Sequence, residues 1–161
     1  MQRMPFCPRR AGYSASFNDG VRRIELDGGP GRYSQMYVGG SDLVDASWKL
    51  KEDDYSLFMA LVRNWSRSGG MPFEIGLKLD SHALDWYRAQ FIPKSVRLTG
   101  MVGPWFYVSA QLEVTPLQKY LDPEQDVWAI IAELMPYYGS VAAVREMFNL
   151  LEQLVNYDWP S

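Results

Sequence analysis

Across residues 43–67 the chain changes its hydrophobic period almost without a break, and this constrains the fold more than any other feature. Over residues 43–50, Val44, Ala46, Trp48 and Leu50 fall on one side, with Asp45, Ser47 and Lys49 on the other. A period of two is that of a β-strand with one buried face. Soon afterwards Phe58, Leu61, Val62 and Trp65 recur at three and four positions, which makes one apolar stripe on an α-helix. Glu52, Asp53 and Asp54 occupy its first turn, where the helix dipole favours acids, and Arg63 and Arg67 lie near its other end. Gly69-Gly70 supplies the stop. Trp48 and Phe58 therefore face one layer, between a sheet and a helix that follows it directly.

The remaining segments extend this pattern. Residues 1–20 read as an irregular arm, with turn formers at Pro5, Pro8, Gly12 and the run up to Gly20. Val21, Ile24 and Leu26 mark a short strand, broken by Asp27-Gly28-Gly29-Pro30-Gly31. That glycine run is a turn, because no Gly-Lys-Ser/Thr follows it and no helix starts there to aim amides at a phosphate. Pro72 forbids helix, and residues 71–79 form a strand with Phe73, Ile75, Leu77 and Leu79 on one face. Residues 80–88 fit a loop or a strand entry equally. Residues 90–100 alternate around Phe91, Val96 and Leu98 with an interruption at Pro93, and residues 100–104 form a turn. In residues 105–115, Phe106, Val108, Ala110, Leu112 and Val114 share one side, and Trp105, Tyr107, Ser109, Gln111 and Glu113 the other. These last two segments predict an antiparallel hairpin.

After Pro116 the pattern is helical. Pro123 suits a first helical position, Val127, Trp128, Ile130, Ile131 and Leu134 form a wide apolar face, and Pro136 and Gly139 end the helix. A second helix runs from about Ser140 to Asn156. The expected fold is α+β: an antiparallel β-sheet or sandwich packed on one central helix, about residues 52–67, with two C-terminal helices. The expected organisation is an extended N-terminal arm (1–20), a core domain (21–116) and a C-terminal helical pair (117–161) packed on the core or on a neighbour.

With 161 residues, 47% of them apolar, the chain can build one core and is neither disordered nor low-complexity. Its apolar runs are shorter than the roughly 18 residues of a membrane span, and residues 1–10 do not resemble a signal peptide. A single cysteine, Cys7, cannot form an internal disulfide and suits a reducing compartment. Candidates for chemistry are few. His82 lies beside Ser81 and Asp85, too close in sequence for a nucleophile, base and orienter to meet, and no Gly-x-Ser-x-Gly elbow is present. Cys7 has no nearby histidine, and the consecutive acids Glu52 to Asp54 do not alternate as a calcium loop requires. The expectation is no enzyme activity, no catalytic or metal-binding residue and no cofactor.

Charge and aromatics point instead to association. The net charge is −3, yet Arg3, Arg9, Arg10, Arg22, Arg23 and Arg32 gather in the first 32 residues, while acids dominate residues 120–161. A basic head and an acidic tail suit head-to-tail contact between copies. Tyr33, Tyr37, Tyr137, Tyr138, Tyr157 and Trp159 fall in loops or near the C-terminus, whereas Trp48, Trp65 and Trp105 are expected in the core. The candidate subunit-interface residues are Arg9, Arg10, Arg22, Arg23, Tyr33, Met36, Tyr37, Tyr137, Tyr138, Tyr157 and Trp159. Residues 1–41 are expected to order by reaching the next protomer, because the arm carries no periodic apolar face of its own.

One longer pattern is familiar. The strand Ala46-Ser47-Trp48-Lys49-Leu50 runs into a helix with Tyr55, Phe58 and Leu61; Gly69-Gly70 and Pro72-Phe73 open a strand; and Trp105-Phe-Tyr-Val-Ser-Ala-Gln-Leu-Glu-Val114 follows late. This order resembles small tail and neck structural proteins of tailed bacteriophages, over residues 43–116. The resemblance implies a structural subunit of the tube, terminator, completion or baseplate type. Such a subunit assembles with copies of itself into a ring, expected to be six-fold, and joins other tail or neck proteins. It would be assembled in the host cytoplasm and located in the virion, with DNA only as passing cargo and no membrane. An acidic protein suits such a conduit, since like charge does not hold the duplex. Two alternatives of other classes remain: a small hydrolase using Asp or Glu, and a DNA-binding accessory protein using the basic arm.

Overall fold

The computed structural model of the chain describes residues 2–156. In chain order these form β1 (Ser14–Ser16), β2 (Val21–Ile24), β3 (Arg32–Gln35), β4 (Asp42–Leu50), α1 (Glu52–Arg67), β5 (Phe73–Leu77), β6 (Asp85–Phe91), β7 (Arg97–Val102), β8 (Trp105–Thr115), α2 (Gln118–Leu121), α3 (Val127–Tyr138) and α4 (Val141–Val155). The fold is α+β, with antiparallel sheets. Two compact units divide between Leu117 and Gln118.

The first unit is built on one sheet with strand order β1-β4-β8-β6-β5, and β7 pairs with β8 as well. Its centre is the long β4–β8 pairing, which runs from Asp42 opposite Val114 to Leu50 opposite Phe106. The alternation read in both strands fixes this register, because a slip of one residue would turn every apolar side chain to the wrong face. Val44, Ala46, Trp48 and Leu50 of β4 thus share a buried face with Val108, Ala110, Leu112 and Val114 of β8. Phe73, Ile75 and Leu77 of β5 and Tyr87, Ala89 and Phe91 of β6 continue it.

Helix α1 covers this face and has the expected ends. Phe58 is fully buried, its ring 4.9 Å from Trp48 and 6.4 Å from Phe91. Trp65 meets Phe91 edge-on at 5.4 Å, and Tyr55 stacks on Phe106 at 4.4 Å. No side chain caps the start at Lys51, so the acids of the first turn are what complements the dipole there. At the other end the Gly70 amide donates to the Trp65 carbonyl from a left-handed backbone (φ 83°), a conformation that glycine adopts without a Cβ penalty.

The reading of residues 1–20 as an arm that waits for a neighbour is corrected. Met4 is 4% exposed and belongs to the core, and Phe6, Tyr13 and Ala15 pack against it. Gln2 and Met4 exchange backbone hydrogen bonds with Glu74 of β5, while the Arg9 amide donates to the Ser47 carbonyl and β1 pairs with β4. The Trp48 indole donates to the Phe6 carbonyl at 3.2 Å. The segment therefore satisfies open backbone groups along β5 and along β4, and five residue steps, at most about 18 Å, span the three strand spacings of about 4.8 Å between them. Scattered apolar residues suffice for this, because an edge segment held by backbone bonds needs no periodic face.

Several boundaries also move. The ambiguous 80–88 segment is a turn that enters β6 at Asp85; β6 stops at Phe91, before Pro93, and pairing resumes at Arg97. The expected turn at 100–104 narrows to Gly103-Pro104, between Val102 and its partner Trp105. In the second unit Pro123 lies in a turn after α2, and α3 starts four residues later, where the Asp126 carboxylate accepts from the Ala129 amide. Pro136 sits inside the last turn of α3 rather than ending it, since the single hydrogen bond it removes falls next to the Gly139 C-cap. Ser140 caps α4 by accepting from the Ala143 amide.

Two outcomes follow from this packing. Phe58→Ala is expected to cost about 3–5 kcal/mol, read as a lower denaturation midpoint; an unchanged midpoint would place Phe58 outside the core. Asp42, 6% exposed, accepts from the Asn18 amide at 2.8 Å. Burial pushes its carboxyl above the usual range, the Asn18 amide opposes this, and the charge of Asp80 adds to the rise. The folded state therefore holds the Asp42 proton more tightly than the unfolded state. Its ionisation lowers stability as pH rises through the shifted value and restores it on acidification. Asp42→Asn keeps the acceptor without the charge. It is expected to melt higher than the native chain at neutral pH, with the gap closing as pH falls through the carboxylate range.

Candidate interaction surfaces

Strands β2 and β3 form a two-stranded ribbon of their own, paired from Val21 opposite Gln35 to Ile24 opposite Arg32. All of its strand residues are exposed. Direct partners share a face, so Arg23 lies beside Tyr33 and Ile24 beside Arg32, and each face mixes arginine with apolar side chains. Tyr33 is 69% exposed, and Met36, Val38, Phe17 and Leu26 are exposed with it. Val21–Ile24 confirms the expected strand, but Arg32–Gln35 replaces part of what reads as loop, because the Gly/Pro run closes a hairpin.

The root of the ribbon is rigid. The Gly20 carbonyl accepts from the Met36 amide at 2.8 Å, and Tyr37 donates its hydroxyl to Asn18 at 2.5 Å. Gly20 has φ +67°, and a Cβ there would lie 2.1 Å from the Tyr37 carbonyl oxygen, so only glycine fits.

The second unit presents a different surface. Ile131 of α3 and Val144 of α4 are its buried residues. Tyr137 (84%) and Val155 (83%) stand almost fully exposed, and Val127, Tyr138, Leu150, Leu151 and Leu154 are exposed as well. A groove of about 480 Å³ lined by Val127, Trp128, Ile130, Ile131, Arg145 and Phe148 runs between the helices, with the Arg145 guanidinium 5.0 Å from the Trp128 ring. The helices meet at a bend of 106°, and among the described residues no single helix is long and apolar enough to cross a membrane.

The candidate interface residues thus separate into groups. Arg22, Arg23, Tyr33, Met36 and Tyr37 gather on the ribbon and its root, while Tyr137 and Tyr138 lie at the end of α3. Arg10 is exposed, but Arg9 is tied to its own sheet, donating from Nε to Ser47 Oγ at 3.1 Å. Tyr157 and Trp159 fall outside the described residues. Residue patterns alone missed Leu150, Leu154 and Val155, whose spacing reads as core until the absence of enough partner surface in a helix pair is counted.

Trp105 is a second correction. It lies on the outward side of β8, with the Lys49 ammonium 4.4 Å and the Lys51 ammonium 5.2 Å from its ring, whereas Trp48 is buried as expected. Its parity with Ser109, Gln111 and Glu113 was the signal. His82 is exposed in the β5–β6 turn, and among the described residues no cluster of three metal-ligating side chains is present. The buried Tyr87 donates its hydroxyl to Asp80 at 2.8 Å; burial, followed by that bond, holds the phenol far above its usual range and therefore protonated.

Comparison with known protein families, curated proteins and solved structures finds no match.

Gly20→Ala is expected to loosen the ribbon and leave the core intact. Hydrogen exchange reads this directly, as faster exchange at residues 21–24 and 32–35 with unchanged protection in β4 and β8; equal protection throughout would contradict the rigid root.

Proposed function

We propose that this protein is a non-enzymatic structural subunit of a multi-copy assembly, of the ring-forming tail or neck type that the phage resemblance implies. The observation that carries the reading is the pair of unlike, exposed apolar surfaces: the arginine-bearing β2–β3 ribbon and the α3–α4 helices. An isolated two-stranded ribbon is marginal in water, and helices that are apolar on most sides are ordinarily covered. Both features are accounted for if neighbouring copies cover them.

The unlike character of the surfaces favours a head-to-tail contact. The ribbon strands carry Arg22, Arg23 and Arg32, of which Arg23 pairs with Glu25 at 3.3 Å, while α3 and α4 carry Glu133, Glu146 and Glu152 against Arg145. A contact between different patches is heterologous, and it closes into a ring when the rotation per subunit divides a full turn. A six-fold ring in a virion tail or neck, joined to other tail proteins around a DNA conduit, is the form proposed.

Native mass spectrometry and electron microscopy of the purified chain test this. The expected result is a closed oligomer, with Tyr33→Ser/Met36→Ser and, separately, Leu151→Ser/Leu154→Ser shifting the population to monomers that melt like the parent. A chain that stays monomeric at high concentration, alone and with lysate of infected host cells, overturns the proposal.

A further inference from the structure

We propose that the outward face of β4, β7 and β8 is a binding site for the phosphodiester backbone of a nucleic acid. Trp105, Tyr107, Ser109 and Gln111 are successive outward positions of β8, about 7 Å apart along the strand. The two rings carry a ladder of cations. Lys49 lies 4.4 Å from the Trp105 centroid and 5.9 Å from that of Tyr107, Lys51 lies 5.2 Å from Trp105, and the Arg9 guanidinium lies 5.1 Å from Tyr107. Among the described residues none of Arg9, Lys49, Lys51 and Arg97 is ion-paired. A carboxylate would cancel their charge, whereas an aromatic face orients a cation and leaves its charge available to an anion.

Beside the ladder the face is concave. Ser47 and Ser109 are direct cross-strand partners and form a low floor, with Arg9 and Gly12 rising on one side and Ser95, Arg97 and Thr99 on the other, around a groove of about 480 Å³. Arg9 is fixed in place from two directions: its amide donates to the Ser47 carbonyl at 2.9 Å and its Nε to Ser47 Oγ at 3.1 Å. Among the described residues its terminal guanidinium nitrogens, the Arg97 guanidinium, the Ser109 hydroxyl and the Gln111 side-chain amide have no hydrogen-bond partner, whereas the Gln111 backbone amide donates to Ser95 Oγ at 3.2 Å. Asp45 and Glu113 also project on this side, and Asp45 accepts from Ser14 at 3.2 Å. Arg9, Lys49 and Arg97 outnumber Asp45 and Glu113 on this face, while Lys51 shares a separate hollow with Glu52, Asp53 and Asp54 of the first turn of α1.

The donor set selects the ligand class. The hydroxyls of Ser47, Ser95 and Thr99 donate to backbone carbonyls, so the donors left are guanidinium groups on two walls with the Ser109 hydroxyl and the Gln111 side-chain amide between them, and these match phosphate oxygens, which accept several hydrogen bonds at once. The outward repeat of β8 continues from these donors onto two aromatic rings, so a chain with its phosphate in the groove brings its sugars and bases over Tyr107 and Trp105. An acidic protein segment offers carboxylates but nothing for the rings. None of the residues lining the groove belongs to the ribbon, and the site does not depend on the proposed assembly.

Fluorescence anisotropy of the full chain with a fluorescein-labelled oligonucleotide, single-stranded and duplex, over a range of salt concentrations tests the site. Binding is expected to weaken with salt at a slope near that of two to four phosphate contacts. Lys49→Ala and Arg97→Ala should each weaken binding, and the double charge reversal Lys49→Glu/Arg97→Glu by about tenfold or more, with the slope falling by about two. Arg63→Glu on α1 should change nothing. Equal affinity for both forms assigns recognition to phosphate, and a single-strand preference lost in Trp105→Ala adds stacking; either supports the site. Melting curves accompany each variant, and the single alanine variants decide if the double does not fold. No salt-dependent binding to either form overturns the proposal. So does an equal effect of Arg63→Glu, or polyglutamate binding as tightly as the oligonucleotide, which assigns the face to an acidic protein segment.

Discussion

Lys51 is the single residue between the end of β4 and the start of α1, so the helix must turn back over the sheet within one residue of the last strand position. That geometry brings Phe58 onto Trp48, and both rings are removed from water almost completely. The other elements of the first unit are arranged around this contact. Phe91 reaches it from β6, Phe6 from the N-terminal segment at 6.3 Å, and Phe73 joins through Phe91 at 4.8 Å. Interlocking rings from β4, α1, β6, β5 and the N-terminus resist independent movement, because shifting one opens a void against several neighbours.

The second constraint is the sheet's unpaired edges. A sheet with open edges offers backbone donors and acceptors to any passing strand, and native proteins cover them. Here the N-terminal residues run beside β5 and β4, while β7 pairs with β8 alone and its residues stay largely exposed, as those of the β2–β3 ribbon do. The chain thus separates a sheet-and-helix core from a ribbon with no core of its own. Gly20 marks the division, since its close approach to the Tyr37 carbonyl joins the two legs of the ribbon, while the neighbouring Asn18 amide donates to Asp42 of β4.

How much of this was legible depended on periodicity. Helix α1 and strands β5 and β8 follow the sequence pattern closely, because a half-buried face imposes a strict repeat over many residues. The N-terminal segment was misread because its order comes from backbone hydrogen bonds and from single anchors such as Met4, which leave no repeat. The proline boundaries of α3 were misplaced for a related reason: Pro123 and Pro136 obey local rules, but a favourable cap at Asp126 and the apolar drive of the helix decide where it runs. Of the surface residues, the ribbon tyrosine and methionine were readable as apolar side chains in a turn-rich segment. The ladder over Trp105 and Tyr107 was not, because its partners come from β4, the α1 cap and the N-terminal segment, and only the three-dimensional register brings Lys49, Lys51 and Arg9 together.

The distribution of charge ties these surfaces to one physical scheme. A chain with a net charge of −3 repels its own copies weakly at long range, so contact between copies requires local complementarity rather than overall attraction. The arginines of the ribbon and the acids of α3 and α4 offer it in one place, and their exposed apolar side chains add burial once the charges have aligned the partners. The cations of the sheet face are of another kind, since aromatic rings hold them in position without neutralising them. The proposed subunit contacts and the proposed nucleic-acid site therefore draw on different side chains.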